Sequence, residues 1–122
     1  MTEYVPDRWC VIRIPNNRET VYKVFASWSG GYIGSDSWKL NSGIVRADLI
    51  DGCWHFEGSS GSVYVCGCNS YGTNGYGAGV LDSIIARAVD QGHEITVLPS
   101  HTDWASLDYD PLQQWIRKGI ES

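Results

Sequence analysis

Two hydrophobic rhythms run along the chain. Residues 8 to 14, Arg-Trp-Cys-Val-Ile-Arg-Ile, and 20 to 28, Thr-Val-Tyr-Lys-Val-Phe-Ala-Ser-Trp, are dense in β-branched and aromatic side chains. Pro15-Asn16-Asn17-Arg18-Glu19 between them carries turn chemistry, so the two runs predict a hairpin. Residues 29 to 38, Ser-Gly-Gly-Tyr-Ile-Gly-Ser-Asp-Ser-Trp, read as a Gly/Ser loop. Alternation resumes from Gly43 to Ile50. Asp51-Gly52 then predicts a tight hairpin, because a type I′ turn needs positive φ at both central residues. Cys53 to Glu57 and Ser62 to Gly67 continue as strands around Gly58-Ser59-Ser60-Gly61. Beyond residue 79 the period becomes helical. Val80, Leu81, Ile84, Ile85, Ala88 and Val89 share one face, and Gly92 suits the C′ position. Glu94 to Leu98 is a short strand stopped by Pro99. Asp110-Pro111 supplies an N-cap and first turn for a last helix burying Leu112, Trp115 and Ile116. The expected class is α+β: a mostly antiparallel sheet of about five to six strands in a meander, packed with two helices, as a single domain over residues 1–122.

Turn lengths set a register. A two-residue turn at Asp51-Gly52 places Ile50 opposite Cys53, Asp48 opposite His55 and Arg46 opposite Glu57. A four-residue loop from Gly58 to Gly61 places Glu57 opposite Ser62, His55 opposite Tyr64 and Cys53 opposite Cys66. Side chains alternate across a sheet. Val45, Ala47, Leu49, Trp54, Phe56, Val63 and Val65 therefore form an apolar face. The opposite face carries the rows Arg46–Glu57–Ser62, Asp48–His55–Tyr64 and Ile50–Cys53–Cys66.

Composition narrows the classes of function. The 122 residues are 43% hydrophobic and 19% charged, with six Trp, seven Tyr and 14 Gly, as for a globular domain with aromatic-walled surfaces and tight turns. The formal charge of −5, with nine scattered basic residues, argues against direct nucleic-acid binding, which needs clustered Lys and Arg. No basic region followed by an apolar run opens the chain, and no stretch approaches the roughly 20 apolar residues of a membrane span. A soluble cytoplasmic protein follows, in which the four cysteines stay mostly reduced.

The cysteine-rich stretch from Asp51 to Cys68 raises three possibilities. Cys53-x-His55 and Cys66-x-Cys68 each place two ligands about 7 Å apart on one strand face, a flat array that converges poorly on zinc. Facing Cys53 and Cys66 lie within bridging distance, so a disulfide stays open. Thiols packed under a loop or helix are the plainer reading. No metal and no cofactor are expected. Asp48 beside His55 can orient and activate an imidazole, which supports the alternative of a small hydrolase using this pair and His101. Ser62, diagonal to His55, is the one nucleophile in view, and cross-strand charge pairs are also ordinary sheet chemistry. His101-Thr102-Asp103 has no second carboxylate or histidine near it in sequence and reads as a loop cap.

Two Gly-rich loops carry the binding expectation. Residues 67 to 80, Gly-Cys-Asn-Ser-Tyr-Gly-Thr-Asn-Gly-Tyr-Gly-Ala-Gly-Val, lead into the helix. Their glycines admit close backbone approach, and the helix start offers N–H groups to an anion. The segment lacks the Lys-Ser/Thr of a P-loop, and Val80 stands where G-x-G-x-x-G needs its last glycine. Trp28, Tyr32 and Trp38 surround Gly30-Gly31 and can stack on a base or on a partner's side chain. The expected ligand-binding residues are Trp28, Tyr32, Trp38, Tyr71, Gly75, Tyr76 and Gly77, with His55 and Tyr64 on the sheet; no catalytic residue is expected.

Residues 24 to 44, Val-Phe-Ala-Ser-Trp-Ser-Gly-Gly-Tyr-Ile-Gly-Ser-Asp-Ser-Trp-Lys-Leu-Asn-Ser-Gly-Ile, and 56 to 66, Phe-Glu-Gly-Ser-Ser-Gly-Ser-Val-Tyr-Val-Cys, with Tyr71-Gly72 a few residues on, resemble a set of small proteins encoded by tailed bacteriophages. The resemblance covers residues 8 to about 90 and consists of motif order. It implies an accessory gene product in the cytoplasm of a host bacterium, acting by binding: either sequestering a small anionic, nucleotide-type ligand or blocking a host protein. Loops from neighbouring subunits would deepen such a pocket, so a homo-oligomer fits the same expectation.

Overall fold

The computed structural model describes residues 2–15, 20–30, 36–107 and 109. Eight strands lie among them: β1 (Glu3–Tyr4), β2 (Arg8–Pro15), β3 (Thr20–Trp28), β4 (Ser37–Leu40), β5 (Ile44–Ile50), β6 (Cys53–Gly58), β7 (Val63–Gly67) and β8 (Thr96–Val97). One α-helix, α1 (Gly75–Asp90), and a 3-10 turn at Trp104–Ser106 complete the described elements.

The expected single meander is overturned. The strands form two four-stranded sheets, ordered β1-β7-β6-β5 and β4-β3-β2-β8, so the chain is mostly β and fits the α+β class only coarsely. Pairing is antiparallel except between β1 and β7, which run parallel. The chain changes sheet between β4 and β5, across Asn41-Ser42-Gly43. Asn41 is buried there, and its Oδ1 accepts the Val24 backbone N–H at 2.8 Å. The expected helix around Leu112, Trp115 and Ile116 lies outside the described residues.

The layers follow from which side chains meet. Trp9, Val11, Val24 and Ala26 of the β4-β3-β2-β8 sheet pack against Ile44, Phe56, Tyr64 and Cys66 of the other sheet. Cys10, Ile12 and Phe25 point the opposite way, against Leu81, Ile84 and Ile85 of α1. The β4-β3-β2-β8 sheet is thus central, covered by a sheet on one face and a helix on the other. A strand buried on both faces needs an unbroken apolar run rather than alternation. Trp9-Cys10-Val11-Ile12 and Val24-Phe25-Ala26 supply such runs, all buried. Trp104 closes the sandwich, its ring meeting Trp9 and Phe56 from the two sheets.

The β2–β3 hairpin forms as the sequence predicts, with Arg8 opposite Ser27 and Ile14 opposite Val21. The Asp51-Gly52 turn also forms, with φ of 51° and 77°, and sets Ile50 opposite Cys53, Asp48 opposite His55 and Arg46 opposite Glu57. The next hairpin differs by one residue. Gly58 N–H donates to Ser62 O and Gly61 N–H to Gly58 O, leaving a three-residue loop, Ser59-Ser60-Gly61, with Gly61 at φ 96°. Such loops end on a left-handed residue, which glycine takes without a Cβ penalty. The shift puts Trp54 opposite Cys66, His55 opposite Val65 and Phe56 opposite Tyr64. Every β7 side chain consequently changes face. Tyr64 and Cys66 enter the core, while Val63 and Val65 point outward.

This burial sets an alkaline limit on stability. Desolvation pushes the Cys10 thiol from 9.0 up to about 12. It also moves the Tyr64 hydroxyl from 10.0 to about 12, with smaller contributions from Tyr4 and Cys66. Cys66, Tyr71 and Tyr109 are raised as well, first by burial. In each case the unfolded chain loses its proton before the native state does. The stabilisation is therefore complete below about pH 9 and is lost as pH rises toward 12. Urea midpoints should stay flat from about pH 7 to 8.5 and fall progressively above that; a constant midpoint through about pH 11 would contradict the burial of these groups.

Candidate functional site

The two Gly-rich segments meet at one end of the central sheet. The first leaves β3 at Trp28, and the second enters α1 through Asn74. Asn74 caps the helix, its Oδ1 accepting the Gly77 N–H at 2.6 Å. Its Nδ2 donates to Ser29 Oγ at 3.4 Å, joining the segments directly. Gly77 is buried against Ser27 of β3: a Cβ on Gly77 would stand 3.2 Å from Ser27 Cβ. α1 therefore begins at Gly75, several residues before its apolar stripe, because a glycine lets the helix start lie on the strand. Asn-Gly ahead of a helical pattern is the sequence signal for this cap, and the run of glycines hid it.

Two aromatics are presented around this junction. Trp38 stands opposite Ser27 in the β3–β4 ladder and stacks on Phe25 with ring centroids 5.6 Å apart, yet stays 40% exposed. Tyr76, in the first turn of α1, is 44% exposed. Gly75 and Gly79 have open space where a side chain would be. Electrostatics here are mixed. The first turn of α1 has no acidic residue, so its positive end is uncompensated from within the helix. Asp7 Oδ2, however, accepts the Ser29 N–H at 2.8 Å, and Asp36 Oδ1 accepts the Gly30 N–H at 3.0 Å. Two carboxylates therefore occupy backbone donors that an anion would use.

The remaining sequence-predicted residues are distributed elsewhere. Trp28 is half-buried on the sandwich side, donating its indole N–H to Val5 O and meeting Tyr4 edge-on. Tyr71 is built into the core, its ring against Trp9 and Trp104 and its hydroxyl bonded to Val11 N–H and Leu98 O. Tyr32 lies outside the described residues. His55 and Tyr64 sit on opposite faces of their sheet, so the expected Asp48–His55–Tyr64 row becomes Asp48–His55–Val65.

The sheet chemistry changes accordingly. Asp48 Oδ2 accepts from Arg46 Nε at 2.8 Å, an exposed pair of little energetic weight. Cys53 stands opposite Gly67 and points outward, whereas Cys66 is in the core; all four cysteines are free thiols. Facing geometry for a Cys53–Cys66 bridge is absent. No group of three or more His, Cys, Asp or Glu side chains is arranged to hold a metal among the described residues. Asp103 caps the 3-10 turn, its carboxylate accepting from Ala105 N–H and Ser106 Oγ. No helix among the described residues is long and apolar enough to cross a membrane. Compared with family models, curated proteins and solved structures, the chain matches none.

Proposed function

We propose that this is a non-enzymatic binding protein, a bacteriophage accessory factor acting against host defence in the bacterial cytoplasm, whose recognition face is the junction of the two Gly-rich segments. The observation that carries this reading is their convergence: Asn74 bonded to Ser29 and Gly77 seated on Ser27, with Trp38 and Tyr76 exposed beside them. Exposed Trp and Tyr over open glycine backbone suit a flat partner group, since such side chains contribute large contact area with little rotamer entropy. The phage setting rests on the motif-order resemblance in residues 8 to about 90.

Two ligand classes fit the face unequally. A small nucleotide-type anion gains from the start of α1 and from stacking on Trp38 or Tyr76. A host protein gains from the same aromatics and is not repelled by Asp7 and Asp36. Those carboxylates favour the host protein. The hydrolase alternative keeps its Asp48–His55 pair, opposite each other across β5 and β6, but the β7 position facing His55 is Val65, which supplies no nucleophile. Association of several copies would enlarge the face further.

Native mass spectrometry of protein purified from a bacterial host tests the reading. A retained small anion appears as added mass and a captured protein as a complex. Tyr76→Ala should lower occupancy at least tenfold while leaving stability within about 1 kcal/mol, as for an exposed site. Full occupancy in that variant and in Trp38→Ala would remove this face from consideration.

A further inference from the structure

β5 ends the β1-β7-β6-β5 sheet, with β6 on one side and no described strand on the other. Ile50 and Cys53 are the first and last residues of the Asp51-Gly52 turn, so they form a hydrogen-bonded pair across β5 and β6. Such pairs alternate with non-bonded ones along an antiparallel ladder. Arg46 and Asp48 therefore bond to β6, while the backbone N–H and C=O groups of Ala47 and Leu49 point to the open side. An irregularity between Ile44 and Arg46 bends the start of the strand. From Arg46 to Ile50 the edge is regular and carries neither proline nor lysine, the common protections of an open edge. Leu49 is 56% exposed and Ile50 48%.

The strand is self-complementary in sequence. Ile44-Val45-Arg46-Ala47-Asp48-Leu49-Ile50 places a cation and an anion symmetrically about an alanine, with apolar residues outside them. We infer that β5 pairs antiparallel with β5 of a second copy, about a two-fold axis at Ala47. Paired residues point to the same face of a sheet and successive residues to opposite faces, so a symmetric register must centre on one residue. Centred on Arg46 it opposes two guanidiniums, and centred on Asp48 two carboxylates, both unfavourable. Centred on Ala47, Arg46 meets the partner's Asp48 twice, the two Ala47 residues exchange backbone hydrogen bonds, and exposed Leu49 comes beside the partner's Val45. The pair within each strand need not break. Arg46 gives only its Nε to Asp48 Oδ2, at 2.8 Å, and a guanidinium has further N–H groups for a second carboxylate. An extended peptide of another protein would use the same backbone groups. The charge order of β5 instead matches its own copy, and in one register only. None of the residues at the Gly-rich junction is involved, so this inference and the reading given there can fail separately.

Sedimentation of the full chain from about 10 μM to 1 mM should show monomer giving way to dimer, since contact through one strand is small. Over the same range the Ala47 and Leu49 amides should become slower to exchange with deuterium. Arg46→Asp leaves two acidic residues on the edge and Asp48→Arg two basic ones, so each variant alone should stay monomeric. Mixed in equal amounts, the two should form a heterodimer, because every opposed pair is again of opposite sign. Should either single variant misfold, Arg46→Asp combined with Asp48→Arg keeps the test. That double variant should dimerise with itself but not with a tagged parent chain, where like charges would be opposed. A parent chain that stays monomeric or shows no added amide protection would overturn the inference. So would single variants that dimerise alone, a mixture that does not, or a double variant that pairs with the parent.

Discussion

Truncating Trp9 to alanine is expected to cost about 3–5 kcal/mol, a large part of the roughly 5–15 kcal/mol that stabilises a domain of this size. Trp9 is 1% exposed and joins elements that are distant in sequence. From β2 its ring reaches Phe56 of the facing sheet at 5.4 Å, Trp104 at 5.6 Å and Tyr71 at 4.7 Å. Its indole N–H donates to Gly67 O at 2.7 Å, tying β2 to the end of β7. Alanine leaves a cavity bounded by three other aromatics, each already held by its own neighbours, so collapse around it is limited. Gly67 is half-exposed, and water can replace the lost donor, so the penalty is mainly packing. Trp38→Ala is the control: that ring stacks on Phe25 and is partly in solvent, so about 1 kcal/mol is expected. Urea unfolding of both variants, at unchanged m-value, measures the difference. A loss below about 1.5 kcal/mol for Trp9→Ala would mean that the two sheets are not locked through this ring.

Some of this architecture can be read from the chain, and the failures have physical causes. Asp51-Gly52 specifies a turn by backbone conformation alone, so the β5–β6 register follows from it. Gly58-Ser59-Ser60-Gly61 contains two glycines, either able to take a positive φ, and loop length depends on which one does. Hydrophobicity did not decide between them, because Val63 and Val65 are as apolar as Tyr64 and Cys66. The observed register buries the larger ring of Tyr64 against Tyr4, 4.9 Å away. β4 escaped notice because Ser37-Trp38-Lys39-Leu40 is short and polar, as suits an edge strand. The division into two sheets turns on Asn41-Ser42-Gly43, an ordinary loop in sequence. Unbroken burial through Trp9-Cys10-Val11-Ile12 was the available sign that one sheet is covered on both faces. At the candidate site, composition pointed to the two Gly-rich segments, but which of their aromatics would be exposed depended on packing. Tyr71 and Tyr76 look alike in sequence; one is a core residue and the other faces solvent.

Gly77→Val is expected to destabilise the protein by about 2–4 kcal/mol, because the start of α1 has no room for a branched side chain. A Cβ at Gly77 would stand 3.0 Å from Asn74 Oδ1, 3.2 Å from Ser27 Cβ and 3.3 Å from Ser27 Oγ. Ser27 is fully buried in a strand of the central sheet and cannot move aside cheaply. Asn74 can rotate, but only by giving up the cap on Gly77 N–H, worth about 1 kcal/mol. The two further methyls of valine add overpacking against β3 of roughly 1–3 kcal/mol. Valine's better helix propensity than glycine returns only a few tenths of a kcal/mol. Gly79→Ala, with open space at its Cβ, should instead stabilise by about 0.5–1 kcal/mol. Combining Gly77→Val with Ser27→Gly removes the atoms in the way, so the double variant should recover part of the loss and show coupling of about 1 kcal/mol or more. Additive effects of the two substitutions would place the cost in the cap rather than in the contact with β3. Because the neighbouring residue is Tyr76, any such displacement also moves the exposed ring, and loss of ligand in Gly77→Val reports packing before it reports recognition.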